Sequence, residues 1–94
     1  MNYYAAIDEQ FFTWIHAKGY TAQTRYKDEP VRGFTLWSSD NQKKVEIGVS
    51  RVDGDEVELA IYAGKKSQEK IAGKIFEISQ LLDASENLAR RLLM

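Results

Sequence analysis

The stretch K-V-E-I-G-V-S-R-V-D-G-D-E-V-E-L-A-I-Y-A, Lys44 to Ala63, alternates apolar and polar residues on both sides of an acidic, glycine-centred break. A period of two is the signature of half-buried strands, and two such runs joined by a short break read as a hairpin. Its register can be reasoned from chemistry. A two-residue turn at Asp53-Gly54 would set Val49 against Glu58 and oppose apolar residues to charges along the ladder. A three-residue loop, Val52-Asp53-Gly54, instead pairs Arg51 with Asp55, Val49 with Val57, Ile47 with Leu59 and Val45 with Ile61. The loop reading is preferred. The carboxylates Asp53, Asp55 and Glu56 lack the alternating Asp/Asn ligands and terminal Glu of a calcium loop, so this segment is expected to be a turn and not a metal site.

Working outward, the same alternation appears in two earlier segments. Strands are expected at residues 20–26, 32–38, 43–51 and 55–63. The short connectors favour antiparallel hairpins, because parallel crossovers need a dozen residues or more. An Asp40-Asn41 turn places Leu36 opposite Val45 and Phe34 opposite Ile47. The Lys27–Val31 loop with Pro30 sets Thr24 against Phe34 and Ala22 against Leu36. One face of the resulting sheet carries Phe34, Leu36, Val45, Ile47, Val49, Val57, Leu59 and Ile61.

The flanks are helical. Tyr4, Ile7, Phe11, Trp14 and Ile15 recur at helical spacing, Asn2 can cap the start, and Gly19 is suited to a left-handed stop. The first helix is expected over residues 3–18. Beyond Gly64, Ile71, Ile75, Ile78 and Leu82 form a stripe that Ala89 and Leu93 continue, with Ser67 as a cap. The spacing predicts helical structure over residues 67–93. Asp83-Ala84-Ser85-Glu86 offers a second capping box, so one long helix and two short ones are both consistent. The expected fold is α+β: an N-terminal helix, a four-stranded antiparallel meander, and one long or two short C-terminal helices on one sheet face.

Composition narrows function. The chain has 94 residues, 44% hydrophobic and 29% charged, which suits a single globular domain rather than a disordered chain. Thirteen Lys and Arg against fourteen Asp and Glu give a formal charge of -1, which argues against nucleic-acid binding by bulk charge. With no cysteine, disulfides, thiolate metal sites and thiol catalysis are excluded. No apolar run approaches the ~20 residues of a membrane helix, and Asp8 and Glu9 interrupt any signal-peptide order, so a cytoplasmic location is expected.

Catalytic patterns are lacking. His16 is the only histidine, on the polar side of the first helix near Glu9 and Thr13, with no nucleophile or orienting partner in view. No serine sits in a G-x-S-x-G elbow. Gly64-Lys65-Lys66-Ser67 resembles the end of a phosphate-binding loop, but Leu59 stands where its upstream glycine belongs. Neither an enzyme nor a cofactor is expected.

Three surfaces remain. Thr21, Trp37, Lys44 and Tyr62 are expected to form a row on the sheet face away from the helices, kept shallow by Gly33, Gly48 and Ala60. Trp and Tyr are favoured at interfaces, so this row is the candidate partner-binding patch. It suits a small non-enzymatic adaptor or inhibitor that masks a protein partner. The second surface is Lys65, Lys66, Lys70 and Lys74, of which the last three would share one helical edge. With the helix-strands-helix order, the lysines of Gly64–Lys74 are loosely similar to those of double-stranded-RNA-binding domains. The resemblance implies phosphate contacts by the lysines that open the last helix. The chain departs from that family in strand number, and in having Lys27-Asp28-Glu29-Pro30 where the family carries Gly-Pro-x-His. A nucleic-acid-associated module is thus the alternative function, and an assembly subunit a further one. The third surface is residues 81–94. A straight helix over residues 67–93 would be roughly 40 Å long and overrun the sheet. Leu81, Leu88, Leu92 and Leu93 would then centre a homodimer unless the helix bends at Asp83.

Overall fold

The computed structural model describes residues 3–24, 32–63 and 66–93. Helix α1 spans Tyr3–Lys18, followed by strands β1 (Ala22–Thr24), β2 (Arg32–Trp37), β3 (Lys44–Asp53), β4 (Glu56–Ala63) and β5 (Lys66–Lys74). A single 3-10 turn, Ile75–Glu77, runs directly into helix α2, Ile78–Leu93. The strands form one antiparallel sheet in the order β1-β2-β3-β4-β5, and α2 lies on one of its faces. The α+β class, the antiparallel meander and the helix packed on the sheet match the expected architecture.

One layer boundary organises the molecule. Phe34, Leu36, Val45, Ile47, Val49, Val57, Leu59 and Ile61, the residues expected on the core face, are all buried. They pack with Ile7, Phe11, Trp14 and Ile15 of α1 and with Ile78, Leu82 and Ala89 of α2. The rings of Phe11, Trp14 and Tyr20 gather around Phe34, whose centroid lies 5.2 Å from that of Trp14 and 5.3 Å from that of Tyr20. Arg32 on β2 donates to both carboxylate oxygens of Asp8, at 2.6 and 3.1 Å, which fixes α1 against the sheet. α1 ends at Gly19, with φ at +78°, the left-handed geometry a glycine accepts without cost.

The expected helix over residues 67–74 is a strand instead. Ile71 and Ile75 fit a helical stripe, but Ile71, Gly73 and Ile75 also fit a period of two. Pairing with the free edge of β4 decides between them: Leu59 faces Ile71 and Val57 faces Gly73. At Gly73 an added Cβ would stand 2.8 Å from Leu81 Cδ1, so glycine leaves room for the leucine side chain of α2 over β5. The helical part of the C-terminus therefore starts about one strand later than expected. It crosses Asp83 without a break, so the second capping box does not start a new helix.

Two registers also differ from expectation, each by two residues. In the β3–β4 hairpin Val49 pairs with Leu59 and Ile47 with Ile61, Asp53 meets Glu56, and Gly54-Asp55 make the turn. Val52 is the extra residue of a bulge between Arg51 and Asp53, and Gly54 takes a positive φ of 52°. Arg51 donates from Nε to the Gly54 carbonyl at 2.8 Å and so braces the turn, rather than facing Asp55 across the strands. At the sheet edge Ala22 faces Phe34 where Leu36 was expected, and Thr24 faces Arg32. A slip of two keeps every side chain on its face, so the core list is unaffected. The β2–β3 register, with Leu36 on Val45 and Phe34 on Ile47, is as expected. Its turn is longer than two residues and is closed by Ser38 and Lys43, with Asn41 at φ 58°.

Candidate functional site: the open face of the sheet

With both helices on one side, the sheet's other face carries alternate residues of every strand. Read from the pairings, Trp37 lies across from Lys44, and Thr35 is followed by Glu46 and Tyr62. Gly33, Gly48, Ala60 and Lys70 form the next row, then Ser50, Glu58 and Ala72. The face is thus a shallow floor of small residues bordered by an aromatic ridge.

Trp37 is 53% exposed and Tyr62 36% exposed, large rings left in water on a sheet whose other face forms the core. The Lys44 ammonium lies 5.9 Å from the centre of the Trp37 ring and 3.8 Å from the Glu46 carboxylate. Lys44 is therefore held between ring and carboxylate. The turn beyond Trp37 is stiffened from within. The Ser38 hydroxyl donates to Asp40, whose carboxylate also accepts from the Gln42 backbone at 3.1 Å. These bonds, the Ser38 bond first, hold the Asp40 carboxyl below its ordinary range. Trp37 and Lys44 face each other across β2 and β3, and Tyr62 lies on the same face, opposite Glu46 and diagonal to Lys44. Thr21 precedes β1 and stands outside the strand pairings.

The lysines are distributed differently from the expected edge. Lys70 and Lys74 stand on β5, facing Ala60 and Glu56, and Lys66 faces Ala63, while Lys65 lies outside the described residues. Lys70 approaches Glu58 at 3.8 Å, and Lys74 approaches Glu56 at 3.2 Å and Asp55 at 3.4 Å. The bond to Glu56 is the main cause of a raised Lys74 pKa. The helical lysine edge that suggested double-stranded-RNA-binding domains does not form. The acidic turn spends two of its carboxylates on Lys74, and among the described residues no three His, Cys, Asp or Glu side chains gather as metal ligands do.

The C-terminal leucines are also reassigned. Leu81, Leu88 and Leu93 are half-buried against the core, and Leu92 is exposed. α2 has 16 residues, about 24 Å, so it does not overrun the sheet as a helix over residues 67–93 would. The geometric reason for a dimer centred on these residues is gone.

A polar cluster that the sequence reading missed joins the end of α1 to the middle of α2. Tyr20 donates its hydroxyl proton to Glu86 and accepts from Arg90 at 2.6 Å, while Trp14 donates its indole N–H to Asp83 at 2.8 Å. Lys18 lies 3.6 Å from Glu86 and 5.6 Å from the Trp14 ring centre. Burial, then the bond to Glu86, raises the Tyr20 pKa. The one available signal was Glu86 and Arg90 at i and i+4. Their partner, Tyr20, is more than sixty positions away. Each group here is engaged with another, so the cluster acts as a clamp between α1 and α2.

No known protein family, curated protein or solved structure matches the chain. The function must be argued from the surface alone. Among the described residues no helix is long and apolar enough to cross a membrane.

Proposed function

We propose that this protein is a small, non-enzymatic protein-interaction module of the cytoplasm, an inhibitor or adaptor that masks a partner with the open face of its sheet. The observation that carries this reading is Trp37, half exposed on a face neither helix covers, with Tyr62 two strands away on the same face. A ring of this size gains most by being desolvated in a partner's pocket, and Lys44 and Glu46 supply a polar border. The nucleic-acid alternative has no comparable support, because Lys70 and Lys74 are each close to carboxylates of the neighbouring strand.

The test is affinity capture from a nuclease-treated lysate with the native chain and with Trp37→Ser. The expected result is one specific partner that the substituted chain fails to retain. The reading is wrong if both chains capture the same proteins. Retention on duplex DNA or RNA that falls steeply with salt would support the alternative instead.

A further inference from the structure

The open face has the size, charge balance and relief to close on itself. It spans about four strand spacings of ~4.8 Å, roughly 20 Å, and rows set ~7 Å apart along the strands. Stacking three rows from two copies would bury roughly 800–1,000 Å² in total, the size of a weak or transient interface. Charge does not oppose this. The face pairs Lys44 with Glu46 and Lys70 with Glu58, so its centre carries no net charge.

We infer that the occupant of this face, in the isolated protein, is a second copy of the same chain, packed sheet to sheet about a two-fold axis. This rests on the proposal that the face is a docking surface and names what docks there. The relief sets the geometry. Trp37 lies four residues from Gly33 along β2, and Lys44 lies four from Gly48 along β3, about 13 Å in each case. An axis running across the strands over the row of Thr35, Glu46 and Tyr62 seats each Trp37 ring on the other copy's Gly33. Each Lys44 then lies over the other copy's Gly48, where the two lysines flank the Glu46 carboxylates that meet on the axis, and the two Tyr62 rings meet beside them. A ridge two rows from a floor of glycines is self-complementary under that operation. The interface is isologous, and its small area makes it weak, in the micromolar range or above.

Sedimentation equilibrium from ~10 μM to ~1 mM is the test, a span in which a dimer of that strength forms. The expected result is a mass that rises to that of a dimer, with tryptophan emission shifting to the blue over the same range. Gly48→Thr fills the floor with a residue strands favour, so it should keep native circular dichroism while weakening association at least tenfold. Trp37→Ser, at an exposed position, should do the same and covers the case in which the Gly48 variant fails to fold. A monomeric mass throughout overturns the inference, as does a dimer that both substitutions leave intact. A monomer leaves the docking proposal standing for a different partner, since that proposal fails only in the capture experiment.

Discussion

Gly73 lies directly beneath Leu81: a Cβ on the glycine would stand 2.8 Å from one methyl of the leucine and 3.0 Å from the other. This makes a pair of substitutions diagnostic of the C-terminal packing. In an exposed helix interior, Gly→Ala stabilises by about 1 kcal/mol. In β5 under Leu81, Gly73→Ala asks only for a shift of the leucine's terminal methyls and should change stability little, whereas Gly73→Val should cost about 1–3 kcal/mol through overpacking. Leu81→Ala should be less damaging with valine at position 73 than with glycine. Urea denaturation of the four variants checks the cycle, and a Gly73→Val variant as stable as the native chain would contradict the packing of Leu81 over β5.

The same pair explains why the sequence misled here. From Ile71 to Leu82 the apolar spacing suits a helix, and nothing local reports that β4 has an unpaired edge. Only the cost of Gly73 inside a helix argued otherwise. The β2–β3 register was legible because Leu36/Val45 and Phe34/Ile47 are matched apolar pairs around a short turn. For β3–β4, registers two apart match Val, Ile and Leu equally well, and the choice falls to Gly54 and the Val52 bulge. The clamp was illegible because Tyr20 and Glu86 meet only after the sheet is built. The ridge of Trp37 was legible because alternation assigns faces whatever the register.

The Tyr20–Glu86 bond should limit stability at high pH. The Tyr20 phenol has a folded pKa raised above its unfolded value of about 10, first by burial and then by Glu86. A raised pKa means that the folded state holds the proton more tightly. Its contribution is fully present below pH ~10 and is lost as pH rises through the folded value. Tyr20→Phe keeps the ring on Phe34 but removes the hydroxyl between Glu86 and Arg90. It should cost about 1–3 kcal/mol at neutral pH. It should also flatten the fall in melting temperature between pH 9 and pH 11, relative to the native chain. An unchanged slope would mean that another group sets the alkaline limit.

The β3–β4 turn should be sensitive at Gly54 and tolerant beside it. Gly54 has φ at +52°, a conformation costing roughly 1–2 kcal/mol for a residue with a Cβ. Nothing lies within 4 Å of a Cβ placed there, so the penalty would be purely conformational. Gly54→Ala should destabilise by about 1 kcal/mol, and Gly54→Asn by less, since asparagine tolerates this region. Val52 is exposed at the bulge, and Val52→Thr should change stability by no more than about 0.5 kcal/mol. Thermal melts of the three variants measure this order. Equal losses at Gly54 and Val52 would argue against the two-residue turn.

The two tryptophans should report opposite sides of the molecule. Trp14 is buried among Phe34 and Tyr20 and donates to Asp83, whereas Trp37 shares the open face with Lys44 and Tyr62. Trp14→Ala should cost about 3–5 kcal/mol, comparable to the whole stability of so small a domain. Trp14→Phe keeps most of the packing and leaves Trp37 as the only tryptophan, although Asp83 then loses its indole donor. At concentrations below self-association, the emission of Trp37 in that variant should be red-shifted and readily quenched by acrylamide. Adding Lys44→Ala should raise the quenching further by removing the ammonium beside the ring. Trp37→Ser, by contrast, should leave the melting temperature within a few degrees of the native value, since an exposed ring adds little to the core. Blue, quencher-resistant emission from a dilute Trp14→Phe sample would place Trp37 in a packed interior, and the open face would then lose its claim to be the site.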